Sequence, residues 1–346
     1  MNQDSKGKTC PAFGEERLGV EVTTHCNSAC LHCFVRAGSS GRSSLSLDVV
    51  KGIIAEGFGA GYRHLHITGG EPLLWEWLFD TLDRCFAMGY KAVSMNTNGT
   101  LLTKDATRKL AAYDGLSISV SLEGTQVLHD RLRGEGSYGR TIRGIEKAID
   151  AGIDLAIFTT VRRSLIPSLP EFADGLYRNF PGINYLTLIQ LIRVNDGFFA
   201  LSEELLEPED FLELVRTVAC LNLCGLKTEV LKNPLVNVAA KLLGMPWIPR
   251  AYPLYREGSM VVKANRHLSL SHSIKDSFGR YRPGMIHKVL ASDAYRKAVK
   301  PDETVCPSCK HLEVCRENGM VRPSEGCRSM HGNTPYCVRV LERAAS

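Results

Sequence analysis

The sequence predicts an α/β fold: a partial (β/α)6 barrel of the TIM type with a small cysteine-rich C-terminal extension. Three observations carry this. From residue 18 to about 192, short β-rich runs alternate with helix-period stretches. Glycines close several of those helical stretches, as in Met88-Gly89 and Ala151-Gly152. Five of the twelve cysteines crowd into residues 306–337.

The strands are expected over 18–24, 64–68, 92–96, 116–122, 155–161 and 185–192, with helices near 47–58, 75–88, 104–112, 141–151 and 170–179. Strict alternation implies a parallel sheet with right-handed crossovers, and six units suit an incomplete barrel better than an eightfold one. A further helix is expected over 208–223. The Pro- and Gly-rich stretch 233–255 reads as a bridge. Next, 259–264 and 267–271 flank the turn residues Asn265-Arg266 as a hairpin, and a helix at 285–299 precedes the cysteine-rich tail. The domain reading is a tail over 1–17, a barrel over 18–224, a bridge over 225–257 and an extension over 258–346.

Composition narrows the function. With 44% hydrophobic and 23% charged residues the chain is ordinary globular protein, and a net charge of +5 over 346 residues does not mark nucleic acid as the main partner. Residues 1–8 are polar and no segment reaches the roughly 18 apolar residues of a membrane span, so a cytoplasmic protein is expected. In a reducing compartment twelve cysteines are metal ligands sooner than disulfides. Cys10, Cys85, Cys220 and Cys224 lie outside the two clusters and read as buried apolar packing, although Cys220 and Cys224 share a helix face.

Cys26-x3-Cys30-x2-Cys33 follows the first strand at its C-terminal end, where parallel barrels build active sites. Three thiolates in a tight loop can hold three irons of a [4Fe–4S] cube and leave the fourth open to a chelating ligand. Zinc is the alternative, but no local fourth ligand completes a closed site.

Residues 24–33, Thr-His-Cys-Asn-Ser-Ala-Cys-Leu-His-Cys, resemble the CxxxCxxC signature of the radical S-adenosylmethionine (SAM) superfamily. The resemblance implies that the open iron binds SAM and that reductive cleavage releases a 5′-deoxyadenosyl radical, with Cys26, Cys30 and Cys33 as cluster ligands. It places His32 against the adenine. Gly69-Gly70-Glu71-Pro72 is similar to the family's GGEP segment beside the methionine end of SAM. Thr97-Asn98-Gly99-Thr100, Ser121-Leu122-Glu123-Gly124 and His129-Asp130-Arg131-Leu132-Arg133 resemble its TNGT, SLDG and HDxxR segments, with Glu123 replacing the usual Asp. By that resemblance Asn98, Ser121 and Arg133 are SAM-contact candidates.

At the other end stand Cys306-x2-Cys309-x5-Cys315, then Cys327 and Cys337. Paired cysteines of this kind also occur in zinc ribbons. Attached to such a barrel, they resemble the SPASM extension or its shorter twitch form, which implies one auxiliary [4Fe–4S] cluster on Cys306, Cys309, Cys315 and a later thiol. Cys337 is the first choice and Cys327 the second. The hairpin carries no cysteine, and Ser271 or His272 takes the approximate place of one.

The resemblance implies oxidative modification of a peptide or protein side chain, or of a small molecule. An external reductant such as a flavodoxin or ferredoxin would supply electrons. With only about twenty residues before the first strand, a peptide substrate would call for a separate recognition protein or a docking edge. Alternatives are a tetrapyrrole substrate of haem biosynthesis, held near Arg162, Arg163 and Arg193, or a non-catalytic iron–sulfur carrier or zinc module. Glu123 and Asp196, both at the active-site end, are candidate proton acceptors.

Overall fold

The computed structural model describes residues 16–35, 43–192, 198–231, 233–245, 247–249, 251, 257–273, 277–299, 309–316 and 335–345. The first half runs β1 (Leu18–Glu21), α1 (Leu47–Gly59), β2 (His64–Thr68), α2 (Leu78–Met88), β3 (Ala92–Thr97), α3 (Lys104–Ala111), β4 (Leu116–Ser121), α4 (Gln126–Arg133) and α5 (Ser137–Asp150). It continues as β5 (Asp154–Val161), α6 (Leu169–Asn179), β6 (Ile183–Gln190), α7 (Pro208–Leu223), β7 (Thr228–Leu231) and α8 (Leu235–Leu242). The C-terminal part holds β8 (Met260–Val262), β9 (Leu268–Ser269), α9 (Met285–Leu290), α10 (Asp293–Ala298), α11 (Leu312–Arg316) and α12 (Pro335–Ala345).

All strands form one open sheet in the order β7-β6-β5-β4-β3-β2-β1-β8-β9. Strands β1 to β7 are mutually parallel neighbours, β8 adds in parallel to β1, and β9 turns back antiparallel. The six expected strands are present, but the sheet runs on at both ends. The stretch read as a bridge over 225–257 holds β7 and α8, so the sheet crosses the expected boundary at 224. The strand 228–231 is four residues long and escaped because it is too short to establish a period.

Strand alternation explains why this barrel has an interior space. In β4, Leu116, Ile118 and Val120 pack into the core under the helices, while Ser117, Ser119 and Ser121 line the lumen. Eightfold barrels fill that position with bulky branched side chains. Here Gly19, His66, Ser94 and Ser117 stand in register across β1 to β4 and leave a cavity of about 370 Å³. That is within the usual range for a small-molecule site.

Local chemistry moved several boundaries. The expected helix over 285–299 is two helices, because Ser292 caps α10 by accepting from the Tyr295 N–H while its hydroxyl donates to the Val289 carbonyl. The helix expected from 75 begins at Leu78, after a 3₁₀ turn over Pro72–Leu74. Helix α4 was not anticipated. The hairpin turn is as expected, with Arg266 in the left-handed region at φ 69°. Glu56 of α1 fastens the extension to the barrel, accepting from the Gly284 and Ile286 N–H groups at the start of α9. Helices α11 and α12 both pack on α8.

Candidate active site

The loop after β1 is held against the ends of two neighbouring strands. Gly70 N–H donates to the Thr23 carbonyl at 2.6 Å and Glu71 N–H to the His25 carbonyl at 2.7 Å. A Cβ on Gly70 would stand 2.0 Å from the His25 oxygen, so only glycine lets the two backbones approach this closely.

The Glu71 carboxylate is fully buried. It accepts from the Leu73 N–H at 3.1 Å, the Thr97 hydroxyl at 2.8 Å and the Asn98 N–H at 2.8 Å. Burial raises its pKa, and those donors oppose the rise. Glu71 and Pro72 do not line the cavity. In this structure the Glu71 side chain latches β2 to β3, and the segment borders the cavity through Gly69 and Gly70.

Cys26, Cys30 and Cys33 are partly exposed and line the cavity together. Asn98 Nδ2 donates to Asn27 Oδ1 at 2.8 Å and lies 3.8 Å from Cys26 Sγ. Arg133, on α4, points Nη1 at Cys30 Sγ from 3.7 Å. Burial pushes the Cys30 thiol up to about 11, with Arg133 pulling down and the Cys33 and Cys26 thiols raising it. Three such groups in one small volume favour a cation that relieves their mutual repulsion.

Beneath the thiols, Arg133 is clamped on Glu123, with Nη2 at 2.6 Å and Nε at 2.9 Å from Oε1. Oε2 accepts from the Thr160 N–H at 2.8 Å. Burial alone would raise the Glu123 pKa, but the Arg133 guanidinium and His32 hold it well below the usual carboxylate range. Glu123 is fully buried and committed to Arg133, so it is not the proton acceptor expected at this end of the barrel. Asp196 and Arg193 lie outside the described residues.

His32 Nε2 is 3.5 Å from Glu123, and burial lowers its pKa. Among the described residues its buried Nδ1 has no hydrogen-bond partner. Arg162 is buried and donates to the Glu123 and Leu128 carbonyls. Arg163 pairs with Asp210 and Glu207. Neither is placed to dock an acidic macrocycle.

The cavity thus collects Cys26, Cys30, Cys33, His32, Gly69, Gly70, Asn98, Ser121 and Arg133. These residues fit an iron–sulfur cluster with SAM. Three thiols face one space, N–H donors approach two of the sulfurs, and an orphaned imidazole nitrogen stands beside them. Among the described residues no three Cys, His, Asp or Glu side chains gather around a single-ion position.

Sequence reasoning missed Asn27, which steadies the thiol loop, and the lumen residues Ser94, Asn96, Ser117 and Ser119. The Leu-Ser-Ile-Ser-Val-Ser run of β4 was the available signal, since serine at every second position of a buried strand marks a polar lumen.

At the C-terminal end Cys309 is partly exposed, and Cys315 and Cys337 are buried on helices that share α8 as neighbour. Cys306, Cys327 and Cys10 lie outside the described residues. Cys85 is buried as expected, but Cys220 and Cys224 are exposed, contrary to expectation. They lie at the end of α7, on the side turned away from its buried face.

Comparison with known proteins agrees with this geometry. Residues 20–169 match the model of the radical SAM superfamily. The chain is 25% identical over 346 residues to the mycofactocin maturase MftC of Mycolicibacterium smegmatis, covering 93% of this chain and 82% of that protein. A probable GTP 3′,8-cyclase of Methanopyrus kandleri is 31% identical over 219 residues, 60% of this chain and 69% of its own. Among solved structures, anSMEcpe with bound AdoMet superposes with a TM-score of 0.73 at 16% identity, covering 94% of this chain and 91% of that one. Streptococcus suis SuiB bound to its precursor peptide SuiA superposes at 0.69 and 16% identity, over 86% and 70%. Among the described residues no helix is long and apolar enough to cross a membrane.

Proposed function

The chain belongs to the radical SAM superfamily, and from that premise we propose that it is a maturase that oxidatively modifies a peptide. The observation that carries the reading is the cavity that runs from the three thiols into a serine-lined lumen. The match over 93% of the chain to a mycofactocin maturase supports it.

When bound, the cluster and SAM supply a 5′-deoxyadenosyl radical that removes one hydrogen atom from the substrate. The chain's own residues do the rest. Cys26, Cys30 and Cys33 hold the cluster; Arg133 and Asn98 approach two of the sulfurs; His32, Gly69, Gly70 and Ser121 form the walls for SAM. Cys306, Cys309, Cys315 and Cys337 would hold a second [4Fe–4S] cluster, which would supply one-electron chemistry. Cys337 is preferred to Cys327 because its helix packs beside that of Cys315 on α8. A four-iron auxiliary cluster that survives Cys337→Ala would transfer the role to Cys327. A flavodoxin or ferredoxin serves as reductant, and the peptide is brought in by a separate recognition protein or along a docking edge.

The test is to supply the reduced, reconstituted enzyme with SAM and short peptides encoded beside its gene, with GTP and siroheme in parallel. A peptide that changes mass with matching 5′-deoxyadenosine is the expected result. Conversion of GTP or of the tetrapyrrole, with every peptide unchanged, would contradict it.

A further inference from the structure

Ion pairs as deeply buried as Arg133 and Glu123, with side chains 12% and 0% exposed, add little net stability, because desolvation of both charges offsets their attraction. The place of this pair points to another use. Arg133 turns its Nε–Nη2 edge to Glu123 Oε1, at 2.9 and 2.6 Å, and its remaining Nη1 lies 3.7 Å from Cys30 Sγ. One guanidinium thus brings an N–H to a thiol of the triad while a carboxylate cancels its charge from the other side.

The carboxylate is held where it stands. Glu123 Oε2 accepts from the Thr160 N–H at 2.8 Å, and the Glu123 N–H donates to His129 Nδ1 at 3.1 Å. Arg162, a second guanidinium whose charge Glu123 feels, donates instead to the Glu123 and Leu128 carbonyls.

N–H donation to the sulfurs of an iron–sulfur cluster and net positive charge beside it both raise its reduction potential, since each favours the more negative reduced form. Away from water the charge is the larger of the two, because little screens it. Arg133 alone would act in both ways; with Glu123 attached, the directional N–H stays and the charge is removed. We propose that Glu123 is a positioning residue that sets the potential of the cluster on Cys26, Cys30 and Cys33, fixing the Arg133 N–H on Cys30 while cancelling the guanidinium charge, so that the potential stays low. The proposal rests on the triad holding that cluster and is independent of which substrate is modified.

The test is the midpoint potential of the reconstituted enzyme, read from the EPR signal of samples poised at set potentials, with neither SAM nor substrate present. The Cys26→Ala/Cys30→Ala/Cys33→Ala variant supplies the auxiliary signal to be subtracted. Glu123→Gln keeps an acceptor for Arg133 and removes the negative charge; it should raise the potential by a tenfold change in the one-electron equilibrium, about 59 mV. Glu123→Asp, which restores the charge, should reverse at least half of that rise. Arg133→Gln should shift the potential downwards. Opposite signs from the two halves of one pair are not what a loss of packing produces. Should Arg133→Gln lose its iron, Glu123→Gln and Glu123→Asp decide the question. An unchanged potential in Glu123→Gln, shifts of the same sign in both Gln variants, or loss of the triad iron from both would overturn the proposal. A wild type that binds no iron at the triad would contradict the reading on which the proposal stands, whereas iron at the triad without these shifts would contradict the proposal alone.

Discussion

Removing the Arg133 guanidinium would strip the buried Glu123 carboxylate of the charge that is hydrogen-bonded to it. Breaking one side of a buried pair costs about 3–5 kcal/mol, so Arg133→Ala should fall in that range by urea unfolding. It should also abolish SAM cleavage, because the same side chain approaches Cys30. Glu123→Gln should be milder, since the amide oxygen still accepts from Arg133.

His129 offers a pH signature. Burial, with Arg133 adding to it, pushes its pKa down to about 4, whereas the unfolded chain titrates near 6.5. As pH falls from about 6.5, the unfolded state gains a proton that the folded state refuses, so stability declines towards pH 4 and then levels. The loss should be roughly 2–3 kcal/mol. The Glu123 N–H donates to His129 Nδ1, and His129→Gln keeps an acceptor there. The difference in unfolding free energy between the two proteins should carry the whole pH 6.5-to-4 slope. Glu71, whose raised pKa works with the opposite sign by favouring the folded state at low pH, contributes to both proteins and cancels.

At the scale of elements, the active site is a joint between strand ends. The motif after β2 could be read from sequence, but its division of labour could not. Two glycines and a glutamate looked like ligand contacts, whereas the glutamate turns inward to tie β2 to β3 and the glycines lie on the thiol loop. That assignment depends on which strand ends meet, which no local pattern encodes. Gly70→Ala must push the His25 carbonyl away from 2.0 Å. Overpacking of this kind costs about 1–3 kcal/mol, and here the strain falls on the thiol loop. We expect Gly70→Ala to lose most of the iron bound at the triad while the barrel still melts cooperatively. Full iron retention would contradict the role given to this contact.

Helix α4 escaped the sequence reading for a related reason. It spans eight residues with a largely polar surface, and its purpose is to deliver His129 and Arg133 to the site. Likewise Cys220 and Cys224 were read as core from residue type alone. Only the packing of α7 on α6, α8 and α12 decides which of its faces is outside.

For the whole molecule, the alternation of strands and helices was sufficient for the six-stranded centre of the sheet, because each unit repeats the same period and caps. At the ends of the sheet the β8–β9 hairpin was legible from its turn residues, but its attachment to β1 and the strand β7 were not. Strands β7, β8 and β9 are two to four residues long, and their places follow from the tertiary edges they cover. The lumen was legible in principle, through the serines of β4, once the parity of the neighbouring strands was known.

The most direct test of the account is anaerobic reconstitution with iron and sulfide, followed by reduction, SAM, and assay of 5′-deoxyadenosine with iron counted in parallel. Two four-iron clusters predict about eight irons in the wild type and about half that in Cys26→Ala/Cys30→Ala/Cys33→Ala. Deoxyadenosine should form from the wild type and not from the triple variant. An iron-loaded wild type that leaves SAM intact under strong reductants, or a triple variant that still cleaves it, would contradict the central claim.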